Sequence, residues 1–190
     1  MKNILLIGGA GYVGTILTSH FLKKGYKVTV LDNFIYNNQF AILPYIGDPD
    51  YRFIYGDMND NEKLKVASQG VTDVILLAGL VGDPITKKYP EESKIINENG
   101  VQNCVDYFNG KGLDKLIFIS TCSNYGLIKE NELADEKFAL SPLSLYAKAK
   151  VMNEQYLMQK KDKVDYTGVV LRFATAFGLS PRMRFEIGRA

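Results

Sequence analysis

Short apolar runs alternate along the chain with longer segments in which apolar residues recur at helical spacing. The short runs lack strict alternation of apolar and polar positions, which is typical of parallel strands covered on both faces. In one helical segment the apolar residues stand at i, i+3, i+4 and i+7 and predict a single buried face: Val101, Cys104, Val105 and Phe108. The predicted strands are Asn3–Ile7, Lys27–Leu31, Tyr51–Tyr55, Asp73–Leu77, Lys115–Ile119 and Tyr166–Leu171. The predicted helices are Tyr12–Lys24, Asn61–Gln69, Glu91–Asn109 and Leu145–Lys160.

This alternation of strands and helices predicts right-handed βαβ units, and therefore an α/β fold built on a doubly wound parallel sheet. The chain has 190 residues, which is enough for one domain with its own core. It stops soon after the sixth predicted strand, and the last stretch shows no clear element. We therefore expect one domain over residues 1–178, and we expect residues 179–190 to begin a shortened C-terminal region.

Composition excludes several classes of protein. Hydrophobic residues make up 46% and charged residues 23%, as in ordinary soluble domains, and the net charge of +2 argues against a nucleic-acid partner. We expect no membrane span, because no apolar run approaches about 18 residues, and the short apolar N-terminus does not resemble a signal peptide. We expect a cytoplasmic protein. His20 is the only histidine, so we expect neither a histidine-based metal site nor a Ser-His-Asp triad.

A glycine-rich turn follows the first strand and opens the first helix. Gly8, Gly11 and Gly14 stand at the spacing GxxGxxG, with Tyr12 and Val13 between the last two. Residues without a Cβ let backbone N–H groups and a helix N-terminus approach a pyrophosphate closely. The position between strand and helix favours dinucleotide binding over the alternative of a purely structural turn.

An acidic residue ends the second strand, about 20 residues after the glycines. Asp32 stands where a carboxylate can accept hydrogen bonds from both adenosine ribose hydroxyls. It is followed by Asn33 and not by an arginine, and a carboxylate would repel a 2′-phosphate. The sequence therefore predicts NAD as the cofactor in preference to NADP.

A second acidic residue follows the third strand, in Gly56-Asp57-Met58. Asp57 is either a turn residue at the strand end or an acceptor for the adenine amino group. The residues alone leave both interpretations open.

A tyrosine and a lysine four residues apart follow the fifth strand. Tyr146 and Lys150 share one helix face, and an ammonium beside a phenol favours the phenolate, which is a usable base for a sugar hydroxyl. Thr121, at the carboxyl end of the strand, is placed to hold the same substrate oxygen. In isolation the pair would fit a surface helix better; the glycine turn and the hydroxyl-rich strand end favour the catalytic interpretation.

Together these segments resemble the extended short-chain dehydrogenase/reductase family, which contains NAD-dependent nucleotide-sugar epimerases and dehydratases. The resemblance covers almost the whole chain. It rests on GGAGYVG, Asp32, GDM, AGLVGDP, STCSNYG, SPLSLYAKAK and LRFATAFG. It implies a Rossmann-type NAD-binding domain, a nucleotide-diphosphate sugar as substrate, and a role in bacterial surface polysaccharide synthesis.

The resemblance also assigns residues. It implies that Thr121, Tyr146 and Lys150 are catalytic, with Lys150 also holding the cofactor ribose. It implies cofactor contacts for the residues around the strand ends: Gly8, Gly11, Tyr12, Val13, Gly14, Asp32, Asn33, Asp57, Met58, Leu77, Ala78, Gly79, Asn97, Tyr146, Lys150 and Phe173. It further implies a homodimer formed by helices 91–109 and 145–160, unless their apolar faces only cover the sheet.

Departures from the family pattern reduce the number of reactions that the chain could support. Sugar 4,6-dehydratases carry an Asp-Glu pair after the catalytic threonine, where this chain has Cys122 and Ser123, so dehydration is disfavoured. A 3,5-epimerising member would place a cysteine at Ser123; Cys122 is one place early, and we expect it to pack. Thr175 stands where many members have asparagine.

What remains is oxidation of a sugar C4 hydroxyl by hydride transfer to NAD. The sequence leaves a net dehydrogenation, a 4-epimerase with the same residues, and a shortened NAD-binding module with little activity as alternatives.

Overall fold

The computed structural model describes residues 1–182 as a six-stranded, entirely parallel sheet with helices on both faces. The strand order is β3-β2-β1-β4-β5-β6, which is the order of the doubly wound dinucleotide-binding fold. The strands are β1 Asn3–Ile7, β2 Lys27–Asp32, β3 Tyr51–Tyr55, β4 Asp73–Leu76, β5 Lys115–Thr121 and β6 Thr167–Phe173. The predicted fold class and all six predicted strands are thereby confirmed.

Helices occupy most of the connections. The α-helices are α1 Tyr12–Lys23, α2 Asn61–Ala67, α3 Asp83–Lys88, α4 Pro90–Lys94, α5 Gly100–Tyr107 and α6 Leu145–Gln159. A π-helical segment, Ile95–Asn99, joins α4 to α5, and 3₁₀ helices span Gln39–Tyr45 and Cys122–Tyr125.

The predicted helix Glu91–Asn109 is therefore a run of α, π and α geometry, and it begins one residue earlier, at Pro90. Proline suits this first position because its missing N–H would have no partner there. The sequence prediction missed α3 and both 3₁₀ helices. These elements are too short to show an apolar period, so only the packing around them reveals them.

The core has two layers, one on each side of the sheet. Side chains alternate along β1, so that Leu5 and Ile7 face one layer while Ile4 and Leu6 face the other. The first layer packs against α2, α5 and α6, and it includes the predicted face of Val101, Cys104, Val105 and Phe108, all at most 3% exposed. The second layer packs against α1. Strands covered on both faces explain why their apolar runs do not alternate.

Three strands run further than predicted, and the extra residues carry chemistry. β2 continues to Asp32, where it pairs with Tyr55, and β5 and β6 continue until Thr121 pairs with Phe173. Polar or aromatic residues at a strand end give no apolar signal, but the backbone ladder holds them at the carboxyl edge of the sheet.

No helix among residues 1–182 combines the length and apolar character that a bilayer crossing requires. The same residues contain no cluster of three or more His, Cys, Asp and Glu side chains that could hold a metal ion. The predicted boundary after residue 178 falls near the end of the described residues, and positions 183–190 lie outside them.

Candidate active site

A cavity of about 370 Å³ opens at the carboxyl edge of the sheet. It lies where the strand order reverses between β1 and β4, which is the position at which doubly wound folds bind ligands. All but one of the predicted site residues line it: Gly8, Gly11, Tyr12, Val13, Gly14, Asp32, Asn33, Asp57, Met58, Leu77, Ala78, Gly79, Thr121, Tyr146, Lys150 and Phe173. The fold thus gathers residues that are up to 165 positions apart in sequence around one crevice.

The glycine turn forms the floor of the cavity, and two of its residues cannot carry a side chain. Gly8 has a φ of +84°, and a Cβ there would lie 2.5 Å from the backbone nitrogen of Ala78. A Cβ on Gly14 would lie 2.5 Å from the carbonyl oxygen of Gly9. These close approaches bring the N-terminus of α1 to the cavity. The first N–H groups of a helix lack partners within the helix and favour an anion such as pyrophosphate.

Asp32 joins the glycine turn to the next loop. Its carboxylate accepts hydrogen bonds from the N–H of Ala10 at 3.0 Å and from the N–H of Phe34 at 2.9 Å. Burial raises the pKa of this carboxyl, while the two backbone donors act against the rise. A carboxylate has about four acceptor positions, so Asp32 retains capacity for two ribose hydroxyls.

Asp57 and Asn33 are bound to each other beside the cavity. The Asn33 amide donates to Asp57 Oδ2 at 2.8 Å, and the N–H of Asn59 donates to Asp57 Oδ1 at 2.8 Å. Asp57 therefore shapes the strand-end turn and also lines the cavity, while its contact with the adenine amino group stays a prediction.

Lys150 is buried behind Tyr146. Its ammonium donates to the carbonyl of Ile119 at 2.8 Å and lies 5.6 Å from the centroid of the Tyr146 ring and 4.5 Å from that of Phe118. Burial lowers the pKa of Lys150 to about 8, against an opposing effect of Glu154. The positive charge next to the phenol is thus held in a site with little solvent.

Thr121 ends β5 and lines the same cavity as this pair. Its hydroxyl accepts from the N–H of Ser123 at 3.2 Å and caps the following 3₁₀ helix. It also donates to the Ser123 hydroxyl at 3.2 Å. The expectation that Cys122 packs is wrong, because its side chain is exposed. Cys122 begins the 3₁₀ helix with its side chain towards solvent, whereas the buried cysteine is Cys104.

Asn97 is the one predicted site residue outside the cavity lining. Its amide oxygen accepts from the N–H of Leu80 at 2.7 Å, and its amide nitrogen donates to the Leu80 carbonyl at 3.0 Å and to Ser93 Oγ at 3.1 Å. Its own carbonyl accepts from the Asn153 side chain. Asn97 therefore holds the loop that lines the cavity, since Leu80 itself is a lining residue.

Several lining residues were not predicted, because they lie in loops with no periodic signal. Tyr36 reaches across the cavity to accept from the N–H of Val81 at 3.4 Å, and the Arg182 guanidinium lies 5.8 Å from its ring centroid. Asn38 is 2% exposed and donates to the Ala10 carbonyl at 2.7 Å. Thr175, which departs from the family pattern, also lines the cavity.

The strand order and the crevice define a Rossmann-type dinucleotide-binding domain. The sequence profile of the NAD dependent epimerase/dehydratase family matches residues 4–189, so the chain belongs to this family.

Known relatives agree with this assignment. A UDP-glucose 4-epimerase of Corynebacterium glutamicum is 30% identical over 181 residues, which are 93% of this chain and 48% of that protein. The UDP-glucuronic acid 4-epimerase of Bacillus cereus, solved with UDP-glucuronic acid and NAD, superposes with a TM-score of 0.82 at 28% identity, over 96% of this chain and 60% of that one. The UDP-glucose 4-epimerase of Thermus thermophilus, solved with NAD, gives 0.81 at 27% identity, over 93% and 56%. The chain spans about half the length of the curated relatives it matches.

Proposed function

We propose that this chain is the NAD-binding part of an enzyme that oxidises the C4 hydroxyl of a nucleotide-diphosphate sugar. The observation that carries the proposal is the convergence of Thr121, Tyr146 and Lys150 on the same cavity as the glycine turn and Asp32. When bound, NAD accepts the hydride that leaves the sugar carbon. The family's cofactor and the geometry of the crevice support NAD as the dinucleotide.

The chain's residues divide the work of this step. Tyr146, as phenolate, removes the proton of the C4 hydroxyl, and Thr121 orients the oxygen with its own hydroxyl. The Lys150 ammonium favours the phenolate by its charge and donates to the cofactor ribose. Phe173, paired with Thr121 across β5 and β6, closes the cavity beside the reacting atoms.

Within this proposal, 4-epimerisation is favoured over net dehydrogenation. The relatives named above are 4-epimerases. Dehydration is a separate reaction, and it is disfavoured because the positions after Thr121 carry no carboxylic acid. Incubation with NAD and UDP-glucose separates the two reactions. A sugar inverted at C4 with no net reduced cofactor supports epimerisation, whereas stoichiometric reduced cofactor supports dehydrogenation. NAD binding without either product supports a module that only binds the cofactor.

The Tyr146→Phe variant tests the proposed base. We expect it to bind NAD as tightly as the wild type while oxidation at C4 falls by about 10²-fold or more, because the phenol is the group that takes the proton. Calorimetry with NAD and product analysis by NMR measure the two effects. Full activity in Tyr146→Phe would exclude this residue as the base.

We further propose that the protein forms a homodimer through helices 91–109 and 145–160. Large apolar side chains on both helices support this surface: Ile95 is 52% exposed and Met158 is 43% exposed.

A further inference from the structure

A cluster of buried polar side chains lies directly beneath the proposed catalytic residues. Asn124 is completely buried, and Ser120 and Glu154 are 2% and 4% exposed. Arg172 closes the cluster from β6. Buried polar groups are costly unless they are paired, so their pairing shows what the cluster holds together.

The carboxylate of Glu154 is the centre of this cluster. Arg172 donates to it from two nitrogens: Nη2 lies 2.7 Å from Oε2, and Nε lies 3.0 Å from Oε2 and 3.1 Å from Oε1. Asn124 donates to Oε1 at 2.7 Å and, with its second hydrogen, to Ser120 Oγ at 3.0 Å. One carboxylate therefore connects α6, β6 and the turn that follows β5.

Each partner is next to a proposed catalytic residue. Glu154 lies one helical turn after Lys150 on the same face of α6. Asn124 belongs to the 3₁₀ helix that Thr121 caps, and Tyr125 of the same helix accepts from Arg172 Nη1 at 3.1 Å. The ion pair thus holds the Thr121 turn at two points and places a negative charge one turn from the Lys150 ammonium.

Stability alone does not account for this arrangement. A well-packed apolar set is often as stable as a buried ion pair or more so, because charges lose their hydration on burial. A fixed charge and a fixed turn, in contrast, serve the chemistry directly.

We propose that Glu154 is a positioning residue: paired with Arg172, it fixes the Thr121 turn through Asn124 and holds a negative charge one helical turn from the Lys150 ammonium. This inference rests on the proposed function, because it assumes that Lys150 contacts NAD. The neighbours of Lys150 on β5, the Ile119 carbonyl and the Phe118 ring, do not titrate. On α6 the phenol of Tyr146 lies beside Lys150, and Glu154 is the charged group that acts on Lys150. Arg172 on β6 contacts Glu154.

The test compares two variants in the 190-residue chain. NAD dissociation constants are measured by calorimetry from about pH 6.5 to about pH 9.5 for the wild type, Glu154→Gln and Arg172→Gln. We expect wild-type binding to weaken as Lys150 loses its proton. In Glu154→Gln the midpoint falls by about one pH unit, and in Arg172→Gln it rises, because the carboxylate is no longer neutralised. A purely structural role of the ion pair would lower the thermal stability of both variants but would not shift their pH midpoints of NAD binding in opposite directions.

Two control variants identify the titrating group and its location. Lys150→Met is expected to lose the pH midpoint altogether. Asp106→Asn breaks another carboxylate–cation pair, between Asp106 on α5 and Lys160 at the C-terminal end of α6, whose Nζ lies 2.6 Å from Asp106 Oδ1; neither residue lines the cavity. We expect Asp106→Asn to keep the wild-type midpoint.

The double variant Glu154→Leu/Arg172→Met removes both charges and leaves no unpaired buried charge, so it provides a folded protein for the test if the single variants unfold. Its amide hydrogens at residues 123–125 are expected to exchange about tenfold faster than in the wild type, because Asn124 loses its acceptor. Unchanged exchange there, equal midpoints, or midpoints that shift in the same direction would overturn the inference. Failure of the wild type to bind NAD, or a midpoint that survives in Lys150→Met, would instead contradict the proposed function.

Discussion

The carboxylate of Asp32 holds the glycine turn and faces the cavity at the same time. Its bonds to the N–H groups of Ala10 and Phe34 fix the glycine turn after β1 and the loop after β2. Its remaining acceptor positions suit the two hydroxyls of a ribose, and its negative charge would repel a 2′-phosphate. We therefore propose that the same side chain contributes to stability and to the choice of cofactor, so that a substitution affects both.

The Asp32→Ser variant should lose the preference for NAD. We expect NAD binding to weaken by about 10- to 100-fold, since two hydrogen bonds to a charged acceptor are lost, and the ratio of NADP to NAD affinity to rise. Calorimetry with both dinucleotides measures this. Asp48→Asn is the control, because Asp48 also accepts from a backbone N–H in a turn but is outside the cavity lining. Tighter binding of NADP than NAD by the wild type would refute the assignment of Asp32.

The low pKa of Lys150 makes stability depend on pH. Between about 8 and 10.5 the unfolded chain holds a proton on Lys150 that the folded chain has lost, so the penalty for burying the charge is present below about pH 8 and disappears as pH rises. Cys104 opposes this trend, because burial raises the pKa of its thiol.

Comparison with Lys150→Met isolates the contribution of the lysine, since Cys104 is common to both proteins. The free energy of unfolding of the wild type relative to Lys150→Met should increase by about 2 kcal/mol between about pH 8 and about pH 10. Urea denaturation at each pH provides the values. A difference that stays constant across this range would mean that Lys150 is not desolvated.

At the scale of elements, the π-helical segment Ile95–Asn99 supports the wall of the cavity. Asn97, at its centre, pairs with both the N–H and the carbonyl of Leu80 and so replaces a strand partner for that loop. A π segment inserts an extra residue into a helix and turns neighbouring side chains, which here directs Asn97 inward to Leu80. The segment therefore links α6, through Asn153, to the loop after β4.

Removing this clamp should loosen the loop. We expect Asn97→Ala to destabilise the protein by about 2–3 kcal/mol, because two buried backbone groups of Leu80 lose their partners, and to weaken NAD binding through the displaced loop. Exposed Asn99 in the same segment offers the matched control, and its alanine variant should change stability by less than about 0.5 kcal/mol. Thermal melting and calorimetry give both quantities; equal effects of the two variants would argue against the clamp.

At the scale of the whole molecule, the order of the strands determines where chemistry can occur. The connection from β3 to β4 crosses β2 and β1, so the chain reverses its direction of winding and leaves a crevice above β1 and β4. The carboxyl ends of the strands meet there, and every proposed catalytic residue lies on or next to such an end.

The proposed dimer is a property of this same scale. We expect the wild type to sediment as a dimer at micromolar concentration, and a variant with Ile95→Glu and Met158→Glu to sediment as a folded monomer, because charges would be buried at the interface. Ile46→Glu, at an apolar residue that is 60% exposed elsewhere on the surface, should leave the dimer intact. A monomeric wild type in sedimentation velocity would disprove the proposal.

The sequence by itself determined the sheet, its longer helices and about half of the cavity lining. Apolar runs, glycine spacing and the residues that end strands are local signals, and each reflects a backbone requirement that acts within a few residues. Asp32, Thr121 and the pair of Tyr146 and Lys150 were predicted for this reason.

Only the tertiary structure decided the partners of the polar side chains. Glu154 has no local signal that separates it from a surface glutamate on α6, yet Arg172 and Asn124 reach it from two other elements. Asn97 likewise contacts Leu80 and not the cavity. The physical reason is that the cost of burying a polar group is offset by whichever group the fold brings near, and that neighbour is distant in sequence.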